Sequence, residues 1–261
     1  MSQAEHEHTH HPVANAEIQP LGYLVSLQFH PPIKLIGTRG LEFATQLSAH
    51  FDPRGVNLQE NQWIFTQPLG ATPAGVFQVL IGEAQVTLEA AFPPHRLEWF
   101  EERFRFILDE FRKGFTPAVL LASNASIRGT LQMDGDARIF LTTHVTMMEQ
   151  NRLAPLARPV HLFGIRLVMP PYQLAQKPAI GKRAKRPKIV ASADSLFEVK
   201  VESFVEDLSK LYLETTGQWQ TPTQWDKKTT DVVVGRLATV SEFLNKNLIP
   251  MLSTAAKKED G

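Results

Sequence analysis

The 261-residue sequence contains no cysteine. Disulfide bonds, thiol nucleophiles, iron–sulfur clusters and cysteine-type zinc sites are therefore excluded. No stretch approaches the roughly 18 uninterrupted apolar residues of a membrane-spanning helix. The N-terminal residues have neither the basic nor the apolar region of a secretory signal. These absences predict a cytoplasmic protein with no membrane partner.

The chain also has no net charge, because 27 Lys and Arg residues balance 27 Asp and Glu residues. A neutral molecule has no overall field that attracts nucleic acids or anionic membranes. Walker A, Gly-rich dinucleotide, HExxH and GxSxG motifs are all missing. We therefore predict no cofactor and no recognisable enzyme class. Hydrophobic residues make up 43% of the chain, which is typical of a globular protein.

The first part of the chain alternates strands and helices. Residues 1–20 form a predicted disordered, His-rich tail, since they contain almost no large apolar side chain. A strand follows at Tyr23 to Phe29, and then a short helix with Leu41, Ala44, Leu47 and Phe51 facing inward. Three strands are predicted at residues 62–67, 75–81 and 84–92. A long helix then places Phe100, Phe104, Ile107 and Phe111 on one buried face.

The same order repeats in the second part. A strand at residues 118–132, a short helix, a strand at 160–169 and a hairpin at 195–214 precede a final helix, which starts between Asp226 and Thr230 and ends at Pro250. The sequence therefore predicts an α+β fold of duplicated β-α-β-β-β-α units, with an antiparallel sheet and two long helices. The predicted boundaries are 21–116 for the first half, 117–253 for the second half with a basic loop at 170–193, and 254–261 for a disordered tail.

Two resemblances accompany this layout. The element order is similar to that of duplicated α+β saddles such as the TATA-binding-protein-like superfold, although fold analogy carries no function. The segment YLVSLQFHPPIKL, with the later elements, resembles a sporadically distributed bacterial family of uncharacterised proteins of about this size. That resemblance implies a bacterial cytoplasmic protein and supplies no functional residues.

Charge is distributed unevenly along the chain. Residues 150–193 contain nine Lys and Arg residues and no Asp or Glu. Clustered cations bind phosphates by releasing counterions, so this segment is a candidate nucleic-acid site. The alternative is a solvated insertion, because no aromatic residue lies within the run at 177–188 to stack on bases. Six of the cations are concentrated within twelve residues, at Lys177, Lys182, Arg183, Lys185, Arg186 and Lys188.

Histidines give two further candidates. The N-terminal tail could bind a transition metal through imidazoles, or it could be solvated and bind metal only by chance. Its histidines are His6, His8, His10 and His11. His144 lies on a predicted helix face with Phe140, and a core or rim position is expected for it rather than a role as a base.

Carboxylates give the remaining candidates. Asp134 and Asp136 flank a glycine, and turn and N-cap roles are expected for them, since the other oxygen ligands of an EF-hand are missing. One predicted strand face alternates Glu198, Lys200 and Glu202, with Glu214 on the partner strand. Such carboxylates are consistent with acid–base chemistry or with the polar outer face of an antiparallel sheet.

The sequence thus favours a non-enzymatic binding or interaction protein with a protein partner or a homodimer. The first alternative is nucleic-acid binding through the basic loop at 177–188. The second is an enzyme whose site only the fold assembles.

Overall fold

The computed structural model describes residues 17–48, 51–70, 74–148, 150–158, 160–174, 189–191 and 195–255. The strands are β1 (Gln19–His30), β2 (Gly55–Leu58), β3 (Gln62–Pro68), β4 (Val76–Gly82), β5 (Gln85–Ala91), β6 (Val119–Gln132), β7 (Gly164–Met169), β8 (Tyr172–Leu174), β9 (Ile189–Ala191), β10 (Ser195–Ser203), β11 (Lys210–Trp219) and β12 (Thr223–Gln224). The α-helices are α1 (Gly37–Leu47), α2 (Leu97–Phe115), α3 (Ala137–Phe140), α4 (Lys227–Phe243) and α5 (Ile249–Ala255). A 3₁₀ segment spans Gln150–Leu156, and π-helical turns span Leu141–Val145 and Leu244–Leu248.

One antiparallel sheet organises the chain. Its strand order is β2-β3-β4-β5-β1-β6-β11-β10-β7, with β12 paired to one end of β6, which makes ten strands. The central strands β1 and β6 pair along almost their full length. A separate two-stranded pair joins β8 and β9. Mixed helix and strand content on an antiparallel sheet confirms the α+β class.

Alternation along the strands separates two faces of the sheet. In β1, Tyr23, Val25, Leu27 and Phe29 are buried, whereas the residues between them are more exposed. This is the predicted period of a strand with one apolar face. The apolar faces of the other long strands join the same hydrophobic core, and the helices pack on that side.

The helices α2 and α4 lie antiparallel across the central strands. Phe111 near the end of α2 contacts Trp225 just before α4, with ring centroids 5.8 Å apart. Arg105 and Asp231 form an ion pair between the two helices. The predicted buried face of α2 is confirmed, because Phe100, Phe104, Ile107 and Phe111 are all completely buried.

The face of α1 differs from the prediction. Leu41 is 58% exposed, and Phe43 is buried instead. The ring of Phe43 lies 5.8 Å from Phe65 and 5.5 Å from Phe115, so the helix rotates to place its aromatic ring among other aromatic rings. Gly40 allows α1 to lie close to β2 and β3, since a Cβ at that position would lie 2.9 Å from the Leu58 side chain and 3.1 Å from the Trp63 ring.

The end of the last helix also differs from the prediction. Helical structure continues past Pro250 to Ala255 rather than ending at the proline. A proline ring normally clashes with the carbonyl group four residues earlier. That residue, Lys246, lies in the π-helical turn Leu244–Leu248, whose wider backbone accommodates the ring.

The first and last described elements each overlap a segment predicted as a disordered tail. β1 begins at Gln19, two residues inside the segment assigned to the N-terminal tail, and α5 reaches Ala255. None of the helices in the described ranges is long and apolar enough to cross a membrane.

Candidate functional site

The sheet face opposite the helices, here called the open face, carries mainly polar side chains. Register brings them into rows that cross the strands. In one row, Leu24 of β1 lies beside Glu89 of β5 and Ser126 of β6, and Ser126 lies beside Thr216 of β11. In the next row, Arg128 of β6 pairs with Glu214, which pairs with Lys200 of β10. The open face therefore combines both halves of the chain into one surface.

Ion pairs hold the charged side chains of the open face in place. Arg128 Nη2 lies 2.6 Å from Glu89 Oε1, and Arg166 Nε lies 2.7 Å from Glu198 Oε1. Lys200 Nζ lies 3.0 Å from Glu202 Oε2. The strand residues that carry charge on this face are Glu89, Glu198, Glu202 and Glu214, with Arg128, Arg166, Lys200 and Lys210. Opposite charges balance, so the open face has no excess positive charge to attract a phosphate backbone.

The four residues predicted on one strand face are brought together as expected. Glu198, Lys200 and Glu202 alternate on the open face, and Glu214 lies directly opposite Lys200. Tyr212 donates a hydrogen bond of 3.0 Å to Glu214, and burial together with the Glu214 carboxylate raises the pKa of its phenol. The carboxylates thus have cation or phenol partners, which fits a structured polar surface better than a general acid and base.

A groove of about 180 Å³ lies where β11 ends beside β6 and β1, and the open-face side chains of these three strands form part of its lining. Four amide side chains line it, and we call it the amide groove: Gln28 of β1, Asn124 of β6, and Gln218 and Gln220 at the end of β11. Ser26, Asn124 and Gln218 occupy one row across three strands. The groove therefore exists only when β1, β6 and β11 are paired.

The orientation of Asn124 is fixed. Its Oδ1 accepts a hydrogen bond of 3.0 Å from the backbone N–H of Ser26. This contact uses the acceptor of the carboxamide and leaves the two N–H donors of Nδ2 for another molecule. Gln28, Gln218 and Gln220 make no side-chain hydrogen bond to another described residue. The amide groove thus offers several donors and acceptors.

Amide side chains and peptide groups have the same hydrogen-bonding chemistry. Each has a carbonyl acceptor and N–H donors in one plane. Carboxamide side chains on a sheet can therefore form hydrogen bonds with the backbone of an extended polypeptide, in the way that the backbone of a neighbouring strand does. No charged or strongly nucleophilic group lies among the four amides. The arrangement is suited to binding rather than to bond cleavage.

A second cavity of about 500 Å³ lies on the helix side, between the start of α2 and the π-helical turn Leu244–Leu248. Tyr23 is 5% exposed at its lining, and burial, with a smaller effect of Glu98, raises its pKa to about 12. The hydroxyl therefore stays protonated. His95 and Arg96 at its lining are exposed, whereas Ile127 and Leu244 are buried. The cavity is open at the surface and contains no arrangement of acid, base and nucleophile.

The remaining predicted residues have structural roles or lie outside the described ranges. Asp136 Oδ1 accepts a 2.8 Å hydrogen bond from the N–H of Arg138 at the start of α3, which confirms its N-cap role. His144 lies in a π-helical turn, with its ring 5.7 Å from Phe140. Outside the described residues lie His6, His8, His10 and His11 of the tail, and Lys177, Lys182, Arg183, Lys185, Arg186 and Lys188 of the basic loop.

Within the ranges that the structure describes, no group of three or more His, Asp or Glu side chains could hold a metal ion. The comparisons with known proteins add no function. No protein-family profile matches the chain, and no curated protein matches it.

Proposed function

We propose that the chain is a non-enzymatic binding protein built on a duplicated α+β scaffold, and that its partner is a protein. The strand order supports the duplication. In each half the first strand neighbours the last long strand, so β1-β5-β4-β3 corresponds to β6-β11-β10-β7. The halves meet at the antiparallel pair of β1 and β6, and each ends in a long helix.

The amide groove is the observation that carries the proposed function. Its carboxamides lie in two neighbouring rows on three paired strands: Asn124 and Gln218 share the row of Ser26, and Gln28 lies in the next row. The Asn124 side chain is held by Ser26 with its donors outward, so this residue loses little side-chain freedom when it binds. We propose that an extended segment of a partner protein lies across the open face and forms backbone hydrogen bonds to Gln28, Asn124 and Gln218.

A selection from a displayed library of random dodecapeptides tests this function. The best binder is then measured by calorimetry against the unmodified chain and its variants. Each neutral hydrogen bond contributes about 0.5–1.5 kcal/mol, so replacing Gln28 and Gln218 together with Ala should weaken binding by roughly tenfold. Asn124→Asp keeps the acceptor for Ser26 and removes the outward donors. This single substitution should be enough to weaken binding.

The matched control is Gln78→Ala, which removes the same side chain from the same face of β4, outside the amide groove. It should bind the peptide as the unmodified chain does. Failure to select any peptide, or equal weakening by Gln78→Ala and the groove variants, would contradict the proposal. Circular dichroism checks that every variant is folded.

Nucleic-acid binding through residues 177–188 is the second candidate, and the pairing of β8 with β9 favours it. Tyr172, Gln173 and Leu174 pair with Ala191, Val190 and Ile189 beyond the end of the β7–β10 pair. Three strand residues span about 10 Å. This exceeds the Debye length of about 8 Å at physiological salt. The pair, whose one end is formed by Leu174 and Ile189, is thus longer than the range over which the excess carboxylates of the rest of the chain act in physiological salt.

Salt dependence distinguishes this candidate. If the six cations neutralise six phosphates, log affinity for duplex DNA should fall with log salt with a slope of about −5. Replacing Lys182, Arg183, Lys185 and Arg186 with Ser should abolish binding. A control variant in which Lys34, Arg54, Lys227 and Lys228 are replaced with Ser loses the same number of positive charges elsewhere. This variant should still bind DNA. No binding by the unmodified chain at low salt would exclude this candidate.

A further inference from the structure

The strand β7 forms one end of the sheet and exposes an unpaired edge. It pairs with β10 on one side, and no described strand pairs with its other side. The opposite end of the sheet, β2, has four residues, whereas β7 has six. An unpaired edge offers backbone N–H and C=O groups to another strand, and proteins usually protect such edges with charges or by covering them.

The side chains of β7 give little of that protection. Leu167 is 39% exposed on the helix-covered face, and Val168 is 52% exposed on the open face. The one charged residue of the strand is Arg166, and its charge is already paired with Glu198. Both faces of the edge therefore end in exposed apolar side chains, which is typical of a strand that pairs with another chain.

We propose that β7 pairs antiparallel with β7 of a second copy of this chain, in a register centred on Leu167. Each Leu167 then lies opposite the partner's Leu167, and Ile165 lies opposite the partner's Met169. Arg166 lies opposite the partner's Val168. The two sheets become one continuous sheet, with both open faces on the same side. This inference concerns the sheet edge and is independent of the amide groove.

Charge selects this register over its neighbours. Centring the pair on Arg166 would place two guanidinium groups directly opposite each other, which is destabilising. Centring it on Val168 would place Arg166 opposite the partner's Pro170, which has no N–H for the ladder.

In the register centred on Leu167, the row that holds Lys200 and Arg166 continues into the partner's Val168 and the partner's Glu198. Each Arg166 therefore lies two strands away from the partner's Glu198, twice by symmetry, and no like charges lie directly opposite each other. Arg166 and the partner's Glu198 thus attract each other across the shared edge.

The absence of cysteine allows a direct test by a single introduced thiol. Directly opposite residues in an antiparallel pair have Cβ atoms about 4.5–5.5 Å apart, close enough for a disulfide after a small adjustment. Leu167→Cys lies on the symmetry axis and should form a covalent dimer under mild oxidation. Ile165→Cys lies two residues from the axis, and its two copies should be too far apart to form a disulfide.

The control for chance collision is Val56→Cys on the opposite edge strand, which has a similar exposure of 41%. It should give much less covalent dimer than Leu167→Cys. Equal yields from these two variants, or a higher yield from Ile165→Cys, would overturn the proposed register.

Light scattering tests the dimer without any modification. The unmodified chain should show twice its mass of 29.3 kDa at a protomer concentration of about 100 μM. Leu167→Lys places two like charges on the axis and should give a monomer with an unchanged circular dichroism spectrum. A monomeric unmodified chain overturns the inference. The variants Gln28→Ala and Gln218→Ala should remain dimeric, so failure of the dimer and failure of the amide groove are distinguishable.

Discussion

The part of the chain up to α2, the first half, and the part that follows it, the second half, are stabilised in different ways. Aromatic rings dominate the first half, where Phe43, Phe65 and Phe115 pack around α1 and α2. Aliphatic side chains such as Val201 and Leu213 fill the second half-sheet. The edges differ as well, since Leu58 of β2 packs against α1 near Gly40 and β7 exposes Leu167. The β2 end of the sheet is thus short and packs one residue against α1, whereas the β7 end is longer and exposes apolar side chains on both faces.

Side-chain caps at the helix N-termini are found in the second half and not at α1 or α2 of the first half. The N-cap residues of α1 and α2 are Ile36 and Arg96, and neither makes a side-chain cap hydrogen bond. In the second half, Asp136 and Asp226 cap α3 and α4. The first half therefore depends on packing, and the second half adds polar contacts at its helix ends. Mutations can test whether this difference determines stability.

The largest expected effect is the loss of an aromatic side chain from the first half. Phe43→Ala should lower the free energy of unfolding by about 3–5 kcal/mol, because it leaves a cavity among buried rings. Val201→Ala removes two methyl groups from the second half and should cost roughly 1.6 kcal/mol. Urea denaturation with circular dichroism measures both. Equal losses would remove the proposed contrast between the halves.

A smaller effect is expected at the cap of α3. Asp136→Ala removes the contacts to Arg138 and should destabilise the chain by about 1 kcal/mol at pH 7. The hydrogen bond from the Arg138 side chain is the main cause that lowers the pKa of Asp136. The stabilisation is therefore present above the ordinary carboxyl pKa of about 3.9 and is lost as pH falls through the lower folded value.

The measurement is urea denaturation of both proteins at neutral and strongly acidic pH. The difference between the unmodified chain and Asp136→Ala should shrink in acid. A difference that stays constant with pH would mean that the carboxylate charge contributes nothing to the cap.

The smallest effect comes from adding a cap to the first half. Ile36 already has the extended backbone of an N-cap and is half-exposed. Ile36→Asp should stabilise the chain by about 0.5–1 kcal/mol, since its carboxylate can accept a hydrogen bond from the first turn of α1. Thermal unfolding measures the change. A lower midpoint would show that the apolar contacts of Ile36 outweigh a cap.

Local patterns predicted the elements well where one face is strongly apolar. The spacing of Phe100, Phe104 and Phe111 leaves one possible inner face for α2, and that face is buried. In α1 the spacing of Leu41 and Leu47 is compatible with a helical face. Contacts with elements later in the chain nevertheless determine which face of α1 is buried. Phe65 and Phe115 form an aromatic environment that favours Phe43. A local pattern cannot include partners that lie far away in the sequence.

The candidate site was not predicted for the same reason. Gln28, Asn124 and Gln218 lie on three separate strands, and each is an ordinary outward residue within its own strand. Strand order and register place Asn124 and Gln218 in one row and Gln28 in the row next to it. The sequence signal that could have suggested the groove is the repeated occurrence of amides in the outward phase of predicted strands. Register itself depends on the whole sheet.

The position of β1 has a consequence for synthesis on the ribosome. All sheet partners of β2 to β5 lie within the first half, and of these five strands β1 alone also pairs with a strand of the second half. A nascent first half can therefore pair its own strands while one edge of β1 stays open. After β5 ends at Ala91, synthesis of α2 and β6 to Gln132 requires 41 further residues, which take about 2–8 seconds at typical rates of translation. The longest edge in the growing chain is thus exposed only briefly before its partner arrives.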